Sequence, residues 1–174
     1  MTDSLTICNS GPLIYLAKLN RLDLLASMYG SVLIPRAVYD EVVVLGRERG
    51  HADALTIQLF LRQQRWPISV VAPETMAAYQ PPVTLDPGEL EVLALAKTVD
   101  DPLVLLDDDT ARKEARRLGL RVRGTLGVLV QARRTDLITL SQAELLIIEL
   151  FSRPDVWLSS RLCEQVIEQL QREA

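Results

Sequence analysis

The sequence predicts a three-layer α/β/α domain built on a parallel sheet, with additional C-terminal helices. Three observations predict it. Short apolar runs alternate with segments of helical periodicity, which is the pattern of right-handed βαβ units. The run Leu103-Val104-Leu105-Leu106 is continuously apolar, as expected of a strand covered on both faces. A chain of 174 residues, 48% hydrophobic and with a mean hydropathy of +0.14, can bury a sizeable single core.

The elements follow in order. Leu5-Thr6-Ile7-Cys8 reads as a first buried strand, and Pro12 leads an apolar helix through Leu13, Leu16 and Ala17. Val32-Leu33-Ile34 is a second strand ended by Pro35, a residue that suits a helix start, here Ala37 to about Leu45. Residues 52–62 carry Leu55, Ile57, Leu59 and Phe60 at helical spacings, Ile68-Ser69-Val70-Val71 is a third strand, and the proline-rich segment 73–85 reads as an irregular loop. Asp86-Pro87-Gly88-Glu89 opens a helix, with Asp86 as N-cap, Pro87 as first helical residue and Glu89 as the capping-box acid. A helix from Thr110 to Leu118 stops at Gly119, a residue free to adopt the left-handed conformation beyond a helix end. Leu120 to Val122 is a short strand and Leu126 to Arg133 a helix. Ser141-Gln142-Ala143-Glu144 repeats the capping-box pattern ahead of Leu145, Ile148 and Phe151, and a last amphipathic helix carries Leu162, Val166, Ile167 and Leu170.

Composition excludes several classes. With 8 Gly and 9 Pro the chain is neither disordered nor of low complexity. Cys8 and Cys163 are too few for a disulfide scaffold or a four-ligand zinc site and read as buried or reduced thiols of a cytoplasmic protein. His51 is the single histidine, which removes His-rich metal sites and zincin motifs; it and Trp66 read as surface or packing residues. The N-terminal residues lack a basic region and an apolar run, so no signal peptide is expected, and no membrane span is expected either. Tyr15, Tyr29, Tyr39 and Tyr79 show no periodicity, which gives little support to base stacking on aromatic side chains.

The net charge of −4 does not by itself point to nucleic acid, and the distribution of charge is more informative. Eight of the 19 basic residues (Arg112, Lys113, Arg116, Arg117, Arg121, Arg123, Arg133 and Arg134) lie in one short stretch after Asp107-Asp108-Asp109. They make either a solvated helix face or a polyanion-binding surface beside a carboxylate site.

In a parallel sheet the ligand site lies beyond the carboxyl ends of the strands, at the switch point. Asn9 and Ser10 follow the first strand there, Asp107 to Asp109 follow Leu106, and Thr125 follows the short strand after Gly119. Glu41 lies in the helix after the second strand, and Glu89 in the first turn of the helix before Leu103. Carboxylates gathered in this way need a compensating cation, and hard oxygen ligands suit Mg²⁺ or Mn²⁺. Each residue also has a plainer role: Asp108 or Asp109 as a helix cap, Glu89 in its capping box, Glu41 as a solvated acid beside Asp40, Asn9 as a turn residue, and Thr125 as an N-cap. A receiver-type phosphoacceptor site would need acids where the chain has Asn9-Ser10 and Val71-Ala72.

Taken in order, the segments NSGPLIYLAKL, IPRAVYDEVV, LDPGELEVLALA and LVLLDDDTARKEARRLGLRVRGTLGVLVQA resemble those of a PIN-domain protein. More narrowly, the chain is similar to an uncharacterised prokaryotic branch of PIN-like proteins described as predicted nucleic-acid-binding. The resemblance spans residues 5–137 as a single domain core, with 138–174 as a less diagnostic helical appendage. It implies a flavodoxin-like parallel sheet and an Mg²⁺- or Mn²⁺-dependent ribonuclease site formed by Asn9, Glu41, Glu89 and Asp107. Asp108 is then a neighbouring metal ligand, and Arg112, Lys113, Arg116 and Thr125 are contacts to RNA. The resemblance extends to toxins of VapC-type toxin–antitoxin pairs, and so implies a small antitoxin over the acidic pocket and a homodimer. PIN nucleases generally carry Asp where this chain has Asn9. Asparagine still offers a carbonyl oxygen to a cation but brings no charge. The other implied reading is a PIN-like module that binds nucleic acid or protein without catalysis.

Overall fold

The computed structural model describes residues 5–173. Five parallel strands lie in the order β3-β2-β1-β4-β5: β1 Thr6–Cys8, β2 Val32–Pro35, β3 Ile68–Ser69, β4 Leu103–Leu105 and β5 Arg121–Arg123. Thr6 is in register with both Val32 and Leu103, and Leu103 with Arg121. Ile7, Cys8, Val104 and Leu105 are fully buried, as a central strand pair covered on both faces requires. In the flavodoxin order, 2-1-3-4-5, the reversal falls between the first and third strands. Here β3 adds outside β2, so the reversal falls between β1 and β4.

Right-handed crossovers divide the helices between the faces. On one face α1 (Ser10–Lys18) packs on α5 (Ala52–Gln64), and α2 (Asp23–Tyr29) lies beside β2. On the other face α7 (Pro87–Ala96) covers β1, β2 and β4 with α6 (Pro73–Ala77) against it, and α8 (Asp109–Arg117) packs on β5. Helix α9 (Thr125–Arg134) returns to α1 and α2, and α10 (Leu140–Ser152) and α11 (Ser160–Arg172) stack on it. The buried Ile147, Leu150, Cys163 and Leu170 place these last helices on the same core. No helix among the described residues is long and apolar enough to cross a membrane.

Four local expectations are corrected. The helix after Pro35 is not uniform: α3 (Arg36–Tyr39) passes into a π-helical turn, Asp40–Leu45, and then α4 (Gly46–Glu48). A π turn inserts a residue into the helical phase, and apolar spacing does not register that. The segment 73–85 contains α6, opened by Pro73 at its first position. The last strand begins at Arg121, because Leu120 belongs to the end of α8. The Leu120 N–H bonds the Ala115 carbonyl (3.0 Å) and the Gly119 N–H that of Arg116 (2.9 Å), a complete Schellman motif with Gly119 at φ +76°. Helix α10 starts two residues early, capped by Thr139 and Gln142, since Thr139-Leu140-Ser141-Gln142 satisfies the same spacing directly after the buried Ile138.

Candidate functional site

An open cavity of about 910 Å³ lies at the carboxyl ends of β1 and β4. Asn9, Glu41, Glu89, Asp107 and Asp108 all line it, joined by Arg112 and Arg116. They reach it from four parts of the fold, each by a local cause that can be named.

Asn9 continues β1. Its N–H bonds the Leu105 carbonyl at 3.0 Å, which fixes its side chain at the reversal in strand order. The side chain is buried, and its Oδ1 has no hydrogen-bond partner among the described residues. The next residue, Ser10, donates its hydroxyl to Oε2 of Glu41 and so ties the start of α1 to the π-helical turn. Gly88 provides the space between. A Cβ there would lie 3.1 Å from Asn9 Oδ1, 3.2 Å from Val38 Cγ2 and 3.5 Å from Glu41 Oε2.

Glu89 is buried and completes the capping box of α7, its Oε2 accepting the Asp86 N–H at 2.9 Å. Burial pushes its carboxyl above the ordinary glutamate value, against the Asp86 hydrogen bond, and the charges of Asp108, Asp86 and Glu41 push the same way. Asp107 follows β4 and accepts the Thr125 N–H at 2.7 Å and the Thr125 hydroxyl at 2.6 Å. Burial raises its carboxyl too, while both Thr125 bonds and the Arg112 charge act to lower it. Gly124, the N-cap residue of α9, has no side chain, so Asp107 satisfies the first N–H of that helix from across the site. A Cβ at Gly124 would meet the Arg112 guanidinium and lie 2.8 Å from Asp107 Oδ1.

The remaining predicted residues divide. Asp108 is the N-cap of α8, its Oδ1 accepting the Ala111 N–H at 2.8 Å, and it keeps an exposed place at the cavity edge. Lys113 is not among the residues that line the cavity; it pairs at 2.5 Å with Asp109, which does line it. Thr125 is corrected as an N-cap, a position that Gly124 holds. Fully buried inside the first turn of α9, it touches Asp107 where the sequence suggested an N-cap or a contact to RNA. Most of the basic stretch is locally neutralised, Arg117 by Glu114, Arg121 by Asp101, Arg133 by Asp136 and Arg134 by Glu173. Among the described residues Arg112 and Arg116 have no carboxylate within 4.0 Å, and both face the cavity.

Among the described residues, no three His, Cys, Asp or Glu side chains close into a group that could hold a metal ion directly. The acids instead lean on their own partners: Glu41 on Ser10, Glu89 on Asp86, Asp107 on Thr125, Asp108 on Ala111. The donor set nevertheless fits a hydrated divalent ion. Mg²⁺ retains several waters and needs only one or two carboxylates, the donors are all hard oxygens, and Asn9 Oδ1 is a buried acceptor that nothing else satisfies.

A family model described as a PIN domain matches residues 5–172. The chain belongs to the PIN-domain family. Such domains are nuclease-like in fold and generally dependent on divalent metal, which suits the oxygen-lined cavity at the sheet reversal. No curated protein matches the chain. The matched range takes in the whole of α10 and α11, which sequence reasoning set apart from the core. The connection between these two helices and the first turn of α11 supply one wall of this PIN domain's cavity, Trp157 and Leu158 from the connection and Leu162 from α11, with Ile14 and Tyr15 of α1 also lining it. Sequence reasoning missed all five. The available signal was a tryptophan in a polar connection, and it had no spacing to tie it to the acids.

Proposed function

We propose that this PIN domain is a metal-dependent ribonuclease, cutting RNA phosphodiester bonds at the cavity between β1 and β4. One observation carries the reading: Asn9, Glu41, Glu89 and the adjacent pair Asp107 and Asp108, from four separate parts of the sequence, line a single cavity at the strand-order reversal. Glu41, Glu89, Asp107 and Asp108, with the Asn9 carbonyl oxygen, are the residues that would hold Mg²⁺ or Mn²⁺. When bound, such an ion supplies Lewis acidity and an activated water for hydrolysis.

The chain's own groups do the rest. Thr125 fixes both oxygens of Asp107, and the Asp86 N–H fixes one oxygen of Glu89, leaving its other oxygen without a protein partner. Arg112 and Arg116, one turn apart on α8 and without acidic partners, offer guanidinium groups to phosphate oxygens. The resemblance to VapC-type toxins adds a small antitoxin over the pocket, a homodimer and a cytoplasmic setting to the proposal. The test is RNA cleavage with Mn²⁺ by wild type, Asp107→Asn and Glu89→Gln, with EDTA controls. Metal-stimulated cleavage lost in both folded variants supports the reading. Equal cleavage by wild type and variants, or none by wild type, overturns it.

A second reading is a PIN domain that binds RNA without turnover. The neutral Asn9 and the prior engagement of each carboxylate favour it. It requires salt-sensitive binding with no products under the same conditions, with a slope of log K against log salt of about −1.4 if Arg112 and Arg116 neutralise one phosphate each on a single strand.

A further inference from the structure

We infer that Trp157 is a stacking platform for an unpaired base of the RNA held at the cavity; the inference rests on the ribonucleic-acid reading above. Trp157 is 88% exposed, the most exposed of the large hydrophobic residues, yet the segment carrying it is held firmly. Val156 before it is buried in the core, Asp155 is bound by Lys18 at 2.6 Å and by Arg153 at 3.1 Å, and the Trp157 N–H donates to the Tyr15 hydroxyl at 3.4 Å. The chain leading into Trp157 is tethered while the indole stands clear. It does so at the rim of the cavity that holds the acids and the two unpaired arginines.

A ligand that meets all these surfaces needs an anionic backbone for Arg112 and Arg116 and a planar apolar group for the indole. A nucleotide has both. In a duplex the base faces are already covered by their neighbours, so only an unpaired base can lie on Trp157. Any base has a π face, so the contact selects strandedness and not sequence.

The protein carries its own reporter. Of its two tryptophans, Trp66 is buried, packed edge-on against Phe60 and bonded to the Gly30 carbonyl at 2.9 Å, so a ligand that quenches fluorescence acts through Trp157. The experiment titrates the full chain in EDTA with a short single-stranded RNA of mixed sequence, the same RNA annealed to its complement, and inorganic polyphosphate. Single-stranded RNA should quench the emission, and Trp157→Ala should weaken its binding about tenfold while Trp157→Phe retains most of the affinity. Thermal melting of both variants should match wild type, since the side chain is in solvent.

Equal RNA affinity in Trp157→Ala, equal quenching by duplex or polyphosphate, or no RNA binding by wild type would each overturn the inference. So would a concentration-dependent dimer that Trp157→Ala dissociates with RNA affinity unchanged, which would assign the indole to a protein interface. Binding with quenching but no Mn²⁺-dependent cleavage removes the ribonuclease reading and leaves this one. Cleavage and binding undiminished in Trp157→Ala remove this one and leave the ribonuclease.

Discussion

Thr125 gives Asp107 two hydrogen bonds, from its backbone N–H at 2.7 Å and from its hydroxyl at 2.6 Å, and by doing so joins the end of β4 to the start of α9. The acid at the centre of the cavity is therefore also the cap of a helix whose own N-cap residue, Gly124, cannot perform that task. The two roles are compatible, because a carboxylate has about four lone-pair sites and Thr125 occupies two. Thr125→Val removes the hydroxyl bond from a half-buried carboxylate acceptor. It should destabilise the fold by about 1–3 kcal/mol, read as a lower urea midpoint at unchanged m. Asp107→Asn, which keeps an acceptor for the N–H, should lose less.

Gly124 has room for no side chain, at ordinary backbone angles (φ −95°), and a Cβ at Gly88 would be tightly packed. Gly88→Ala pushes a methyl against Asn9 Oδ1 and Val38, and should destabilise by about 1–3 kcal/mol as an overpacked site. Gly124→Ala is the more severe change. Its Cβ would sit 2.8 Å from Asp107 Oδ1 and 3.2 Å from the Leu106 carbonyl, a backbone atom that cannot swing aside. Chemical denaturation of both variants should rank Gly124→Ala as the less stable.

Asn9→Asp tests the cation directly. The substitution places a second charge beside Glu41 at a buried position whose oxygen has no donor, so without metal the variant should melt below wild type. Added Mn²⁺ should then raise its melting temperature more than that of wild type, since stabilisation grows as RT ln(1 + [L]/Kd), about 2.7 kcal/mol at a hundredfold excess over Kd. An equal shift in the two proteins would exclude Asn9 from the cation's surroundings.

Glu114 governs an acid-sensitive contact away from the cavity. Its buried carboxylate accepts Arg117 at 2.6 and 2.7 Å and the Tyr79 hydroxyl at 3.0 Å, and the Arg117 bond holds it below the ordinary glutamate value of 4.5. Because the folded value is the lower one, the folded state binds this proton less readily than the unfolded chain. The stabilisation is complete above about pH 4.5 and is lost as the pH falls through the folded value. Glu173, held at about 2 by Arg134 and Gln169, acts in the same sense. Stability measured by urea from pH 7 down to pH 3 should therefore decline less steeply in Glu114→Gln than in wild type.

Much of the fold was legible in sequence because its signals are local. The apolar run 103–106, the box Asp86-Pro87-Gly88-Glu89 and the stop at Gly119 each act within a few residues, and all three elements are present. The π-helical turn around Glu41 was hidden, because one inserted residue changes the phase of a helix without changing its composition.

For the site, the sequence alone determined which oxygen-bearing residues follow which strands, because strand polarity puts those positions at one edge of a parallel sheet. It could not decide their state. Whether a carboxylate is buried, which donor holds it and which arginine is left unpaired depend on contacts such as Asp107 with Thr125, 18 positions away, or Arg134 with Glu173, 39 away. The wall contributed by Trp157 was beyond reach for the same reason: only the packing of α10 and α11 on α9 brings that segment against Tyr15 and the acids of the distant strand ends.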